Sequence, residues 1–285
     1  MKVTVIGSGT AFSLATRKNA NQCFLFEENG RRMLFDCGRT TPEQLDKIAG
    51  MTFKDINDIY ISHAHSDHIG GLEFAALMRY DWKNHPRNWS DSQYAIKLYA
   101  NSGLMTELWN YSLRGGLSTF EGFVAQMGTC FEPVRIPDSK AFEWEGWTML
   151  PIQQVHIMSG SSISFAFGLL IKKEGHKTLY CVADSQHCSP RQMEMYYKEA
   201  DIIFQDCECA PFPTNVHANY KQLAGYPEAN SPDLGSVIRS KMWLSHFQDF
   251  VLDSKDGMGG DLDWFKLAKD DGFAGFLMPG QTFEI

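Results

Sequence analysis

At 285 residues and 44% hydrophobic, the chain is long enough to bury a substantial core. Its formal net charge of −8 disfavours a large nucleic-acid footprint, which needs a basic surface, and no run of about eighteen apolar residues offers a membrane span. Seven cysteines, an odd number without framework spacing, and an N-terminus lacking a signal peptide's long apolar stretch point to reduced thiols and a cytoplasmic protein.

Met1–Ile6, Cys23–Glu27 and Arg32–Phe35 read as successive strands, with Glu28-Asn29-Gly30 as a hairpin turn. Thr41–Ile48 follows a Thr-Pro start signal and reads as a helix. Asp58–Ile61 is a short buried strand that leads into Ser62-His63-Ala64-His65-Ser66-Asp67-His68. Gly70-Gly71 and a helix over Leu72–Met78 follow. The cluster therefore sits in a strand-to-helix loop. Imidazole and carboxylate are zinc ligands, and this density of them points to a metal. His63 and His65 are two apart, so extended backbone aims both rings to one side. Asp67 and His68 come after the chain has begun to turn and can aim at a second point. Two metals are expected rather than one.

Residues 80–130 are rich in aromatics, among them Tyr80, Trp82, Trp89, Tyr94, Tyr99, Trp109, Tyr111, Phe120 and Phe123. A strand over Ala95–Ala100 and a helix over Gly103–Tyr111 are expected within them. The region reads as a packed insertion in one domain spanning 1–285, or as a lid or dimer surface that stacks on a flat ligand. Beyond it, strands are expected at Val134–Ile136, Met149–Gln154, Ser162–Ile171 and Thr178–Ala183, the last two joined at Gly175. Helices over Pro190–Ala200, Asp233–Arg239 and Leu262–Asp270 alternate with strands at Ile202–Gln205, Met242–Ser245, Phe273–Leu277 and Gln281–Ile285. Two strand-rich halves with helices around them imply a sheet sandwich flanked by helices. Cys207-Glu-Cys209 reads as a strand end rather than as a soft metal site.

Three further strand ends each present one good ligand. His156 follows Gln154-Val155, Asp184 ends Leu179–Ala183, and His246 ends Met242–Ser245. Any one alone would be an ordinary polar residue. Together with the cluster they give the order His-x-His-x-Asp-His…His…Asp…His, which resembles the metallo-β-lactamase superfamily from end to end. That resemblance implies an αββα four-layer sandwich with a binuclear site at one edge of the sheets. It would place His63, His65 and His156 on one metal and Asp67, His68 and His246 on the other, with Asp184 bridging. Asp36, in Leu34-Phe-Asp-Cys-Gly38, would support the site from behind the ligands.

Two divalent ions are the expected cofactors, zinc by the histidine-rich ligation, with manganese or iron as alternatives. Against Asp67, Asp184 and a bridging hydroxide they leave a site of about one positive charge, suited to a small anionic phosphodiester. Such metals lower the pKa of bound water to about 7 and suit in-line displacement at phosphorus. A ribose oxygen leaving group still needs a proton. Of His85, His176, His187 and His217, the last is the preferred general acid, with Asp206 or Glu208 orienting it and Asp67 as a further catalytic carboxylate. Ser159–Ser162 offer hydroxyls and N–H groups for phosphate, or form a plain turn.

The opening Val5-Ile-Gly-Ser-Gly-Thr-Ala11, then Arg17-Lys-Asn19, and the Asp67-His68 pair are similar to the ribonuclease Z branch. Two departures follow. Asp206 or Glu208 stands where that branch has a glutamate after histidine. The arm by which bacterial ribonuclease Z grips tRNA would fall between His156 and Asp184, where a hairpin consumes the chain. The tRNA-processing reading is therefore second to that of the branch's small-substrate phosphodiesterases, which include cyclic nucleotide phosphodiesterases of the phage anti-Pycsar type and the cyclic-phosphate esterase of phosphonate metabolism. The expected partner is a small nucleotide phosphodiester, with no membrane or large nucleic acid, and a homodimer is compatible with the branch. A carbon-centred hydrolase of a lactone, thioester or lactam, and a nucleotide-binding protein that keeps metals for folding, are the remaining readings.

Overall fold

The computed structural model describes residues 1–14, 19–79, 95–120, 122–187, 190–231 and 233–285. The expectations at Arg17, Tyr80, Trp82, His85, Trp89 and Tyr94 lie outside these residues. The first part of the chain forms strands β1 (Lys2–Gly7), β2 (Cys23–Glu28), β3 (Arg31–Phe35), β4 (Asp58–Tyr60) and β5 (Ile96–Asn101). A small hairpin, β6 (Thr119–Phe120) with β7 (Phe123–Val124), precedes β8 (Phe131–Ile136). The second part contributes β9 (Phe142–Trp144), β10 (Trp147–Ser159), β11 (Ser162–Lys172), β12 (Leu179–Cys181), β13 (Ile202–Asp206), β14 (Met242–Ser245) and β15 (Gly275–Phe276). The final strand, β16 (Thr282–Glu284), returns to pair with β1. The two large sheets run β16-β1-β2-β3-β4-β5-β8 and β15-β14-β13-β12-β11-β10-β9.

Alternation along β2 shows how the layers arise. Phe24 and Phe26 point into the space between the sheets, against Met149, Leu169, Leu179 and Phe204. Cys23 and Leu25 point the other way, toward Leu45 of helix Thr41–Ala49 and Leu72 and Ala75 of helix Leu72–Arg79. A period of two in the strand thus divides its apolar residues between two cores. The second sheet does the same. Leu170, Tyr180, Ile203 and Leu244 face an outer layer containing Tyr197, Tyr220, Leu223, Trp264 and Ala268. Helix, sheet, sheet and helix give the expected αββα sandwich.

β3, β4, β5 and β8 are parallel, as are β12, β13, β14 and β15. Parallel strands put their C-terminal ends at one edge of a sheet, where open α/β sheets bind ligands. Several expected bounds shift, the strand expected over Phe273–Leu277 being reduced to Gly275–Phe276 and the helix expected over Gly103–Tyr111 passing into a π-helix over Leu108–Leu113, and two further changes have a local cause. The strand expected to end at Gln154 continues to Ser159, because β11 pairs with it as far as Ser162. The helix expected over Asp233–Arg239 is confined to Ser236–Arg239. There Asp233 Oδ1 accepts from Gly235 N at 2.9 Å and Gly235 has φ 81°, a turn that helical backbone cannot enter. Of the aromatics described between 95 and 120, Tyr99 stacks on Phe142 at 4.9 Å and Trp109 packs on the first sheet's outer core, whereas Tyr111 is 84% exposed. No helix among the described residues is long and apolar enough to cross a membrane.

Candidate metal centre

Five strands deliver polar side chains to one edge of the sandwich. Asp36 follows β3, His63–His68 follow β4, Asp184 follows β12, Asp206 ends β13 and His246 follows β14. His156 arrives differently. It lies within β10, where the pairing with β11 slips between Val155 and Ile157, so it is the bulged residue. A bulge turns a side chain that regular pairing would have aimed elsewhere. Asp36 (φ 64°) and His246 (φ 58°) both sit in the left-handed region, a conformation non-glycine residues hold only where their surroundings impose it.

The ring nitrogens are sorted by their second partners. Ser62 Oγ donates to Asp36 Oδ2 at 2.8 Å and lies 3.0 Å from His63 Nδ1, so it can accept that nitrogen's proton. His156 Nδ1 donates to the Val216 carbonyl at 3.0 Å. His68 Nδ1 donates to Asp36 Oδ2 at 2.7 Å. In each ring this leaves Nε2 as the lone-pair nitrogen. Those lone pairs converge. His65 Nδ1 lies 3.0 Å from His63 Nε2 and 3.1 Å from His156 Nε2. Asp67 Oδ2 lies 3.2 Å from both His68 Nε2 and His246 Nε2. Asp184 Oδ2 is common to both groups, at 3.2 Å from His68 Nε2, 3.4 Å from His246 Nε2, 3.7 Å from His63 Nε2 and 3.8 Å from His156 Nε2.

The residues fit divalent cations. Two sets of donor atoms, His63/His65/His156/Asp184 and Asp67/His68/Asp184/His246, each lie within 4.8 Å of one another. Asp36, Asp67, Asp184 and Asp206 are all buried, and among the described residues none is paired with lysine or arginine. Burying four carboxylates without a cation would be costly. Asp184 Oδ1, His68 Nε2 and His246 Nδ1 are enclosed without a hydrogen-bond partner. The titration tendencies show how strongly the buried carboxylates draw positive charge to this point. Burial pushes His63 well below the usual imidazole range, aided by the charge of His68. At His68 burial opposes the charge, but Asp184, Asp36 and Asp67 together raise it well above that range. Burial likewise opposes ionisation of Asp67 and Asp184, yet His68 and His246 hold both well below the usual carboxylate range. A cation belongs in this field.

Beside the donors, His217 Nδ1 lies 3.0 Å from Asp206 Oδ2, and its ring stacks on His246 at 4.7 Å between centroids. Burial works against its charge, but Asp206 and then Asp184 push its pKa up to about 9. Asp206 is held in turn by Ser185 N at 2.7 Å. Glu208, the alternative partner in the sequence, is turned elsewhere, because its two oxygens accept from Thr214 N at 2.7 Å and Thr214 Oγ1 at 2.5 Å. His176 is remote, on the C-terminal carbonyl of Ile285 at 3.3 Å, and His187 joins none of the donor groups. Cys207 and Cys209 are buried and belong to none of them either.

A cavity of about 460 Å³ opens beside His63 and His65. Leu104, Ile163, Phe165 and Phe167 supply its apolar wall, and Ser162 and Ser164 its hydroxyls. Of the Ser159–Ser162 stretch, Gly160 makes the β10–β11 turn at φ 59° and Ser162 reaches the cavity. Sequence reasoning did not find Ser62, the Val216 carbonyl or Phe165. A backbone carbonyl carries no residue signature, and a serine beside the histidine cluster does not show by itself that it links Asp36 to His63.

Fold and donor set together define a metal-dependent hydrolase of the metallo-β-lactamase fold. The family of the Anti-Pycsar protein Apyc1 matches residues 1–283, and the chain belongs to it. It is similar to the Anti-Pycsar protein Apyc1 of Paenibacillus xerothermodurans, with 28% identity over 276 residues that cover 96% of this chain and 98% of that one. To the protein of that name from Bacillus phage BSP38 its identity is 34% over 256 residues, covering 88% of this chain and 91% of that one. Among solved structures, the metallo-beta-lactamase fold protein YhfI from Bacillus subtilis superposes with a TM-score of 0.67 at 18% identity, covering 99% of each chain.

Proposed function

We propose that the chain hydrolyses a small, cyclic nucleotide phosphodiester with two divalent ions. The observation that carries this reading is the position of Asp184 Oδ2, within 3.2–3.8 Å of lone-pair nitrogens in both donor groups, as a carboxylate shared by two cations would be. His63, His65 and His156 would hold one ion, Asp67, His68 and His246 the other, and Asp184 both. Bound there, the ions supply hydroxide at neutral pH and offset the charge of a phosphodiester. Histidine-rich ligation favours zinc.

The protein's own groups do the remainder. Asp36 and the Val216 carbonyl fix the rings whose nitrogens face the centre. The cavity beside His63 and His65 lies within the size range of small-molecule sites, and its Phe165 and Phe167 offer faces to a base. With Nδ1 on Asp206, His217 presents Nε2 to give a proton to a departing ribose oxygen. Membership of the anti-Pycsar family supports a cyclic nucleotide, since the sequence resembles that type of phosphodiesterase. The reading also takes the protein to work in the cytoplasm, as a monomer or homodimer, on a small anionic substrate rather than a large nucleic acid.

The test is turnover of bis-p-nitrophenyl phosphate and of a panel of 2′,3′- and 3′,5′-cyclic nucleotides by zinc- or manganese-loaded protein, with a tRNA precursor as control. Hydrolysis of cyclic nucleotides that disappears in His65→Ala and Asp184→Ala is expected. Cleavage of the precursor alone would transfer the function to tRNA processing, and turnover of neither phosphodiester would end the reading.

A further inference from the structure

Glu208 is 1% exposed, yet no lysine or arginine among the described residues is paired with it. Such a carboxylate is retained at a cost unless hydrogen bonds satisfy it. Here both oxygens are spent on one residue, Thr214, through its N–H and its hydroxyl, while Asn219 Nδ2 adds a longer contact at 3.5 Å. The backbone closes the same loop, with Glu208 N donating to Ala218 O and Tyr220 N to Glu208 O, both at 2.9 Å.

The loop so closed, residues 209–218, carries two groups of the site. Val216 O holds His156 Nδ1 at 3.0 Å. His217 Nδ1 meets Asp206 at 3.0 Å. A third tie, Gln186 Nε2 to Asn215 O, fastens the loop to the segment after Asp184. The stretch contains no helix or strand between Asp206 and Tyr220, and its further ties, Cys209 N to Gln248 Oε1 at 2.8 Å and Asn219 Nδ2 to Ala210 O at 3.0 Å, lie near its start and not at His217.

We infer that Glu208 is a positioning residue, which acts through Thr214 to hold His217 where its proton reaches the leaving oxygen. The inference rests on the reading of His217 as proton donor. It gives Glu208 no contact with substrate or ion and makes its charge a clamp on loop conformation. The requirement for it should therefore depend on the leaving group. A p-nitrophenolate departs without a proton, whereas a ribose oxygen does not.

The experiment compares wild type, His217→Ala, Glu208→Ala and Glu208→Gln on bis-p-nitrophenyl phosphate and on the cyclic nucleotide that wild type cleaves best. Glu208→Ala should lower kcat for the cyclic nucleotide by about 10²-fold with little change in KM, and should lower turnover of the p-nitrophenyl ester by less than about tenfold. His217→Ala should show the same selectivity. Glutamine keeps one acceptor for Thr214 N and can donate to the Thr214 hydroxyl, so Glu208→Gln should recover most of the loss. If Glu208→Ala does not fold, Thr214→Val serves in its place, with the same selectivity expected. Equal loss on both substrates, or no loss on either, overturns the positioning role. If His217→Ala is itself unselective, the proton-donor reading fails first, and the two failures are thereby separated.

Discussion

Asp36 Oδ2 lies 2.7 Å from His68 Nδ1, and both side chains are wholly buried. The carboxylate also accepts from Ser62 N and Ser62 Oγ, each at 2.8 Å. One residue thus fixes the tautomer of His68 and, through Ser62, that of His63, so it governs a nitrogen in each donor group. Desolvation raises the Asp36 pKa, against the pull of His68.

Asp36→Asn isolates this role, because asparagine tolerates the left-handed backbone at this position. An amide offers one acceptor oxygen where three donors converge. Metal affinity should fall about 10–100-fold, as it does when such supporting partners are lost. Titration with a competing chelator measures it. Wild-type affinity in the variant would remove Asp36 from the support of the centre.

Gly38 is a second hidden determinant. A Cβ added there would lie 1.9 Å from Asp67 O, a backbone atom that cannot swing aside. Gly38→Ala should therefore displace the Asp67 segment, at a cost of about 1–3 kcal/mol or more in stability, and should lower metal content as well. Thermal melts and elemental analysis check both, and an unperturbed melt would contradict the close approach.

Much of this centre is readable from the chain alone. His63, His65, Asp67 and His68 declare themselves by density, and Asp184 and His246 by following apolar strands. His156 is harder. It stands where an alternating pattern continues, and only the register of β10 against β11 makes it a bulge. Glu208 looked like a partner for His217 because it is near in sequence. Its alternative, Asp206, wins because β13 directs Asp206 toward the edge where Asp184 and His246 emerge, while Glu208 lies past the strand and turns to Thr214. The cavity wall is invisible to pattern reading, since Phe165 on an exposed stretch of hairpin resembles any surface aromatic.

Metal removal should loosen the whole sandwich, because the donors come from both sheets. Ions that bind only the folded chain stabilise it by about 2.7 kcal/mol when present at about a hundred times their dissociation constant. The melting temperature should fall on the order of 5–10 °C after chelation and recover when zinc or manganese is restored. An unchanged melt would mean that the buried carboxylates are compensated in some other way.

Phe165 is 39% exposed on the wall of the cavity. Phe165→Ala should raise KM for a cyclic nucleotide roughly tenfold, equivalent to an aromatic contact of about 1.4 kcal/mol, and leave kcat near wild type. For bis-p-nitrophenyl phosphate the change should be smaller. Parallel loss of kcat and KM effects on both substrates would argue that the residue shapes the centre and not the substrate's resting place.

The donors are divided along the chain, with His63, His65, Asp67 and His68 after β4 and His156, Asp184 and His246 in or after strands of the other sheet. On the proposed ligation, a chain still being made exposes half a binding site long before His246 leaves the ribosome. Tight metal capture is then an event of maturation rather than of early folding. A product cut short ahead of β14 would carry a recognisable histidine cluster and yet remain a poor competitor for metal.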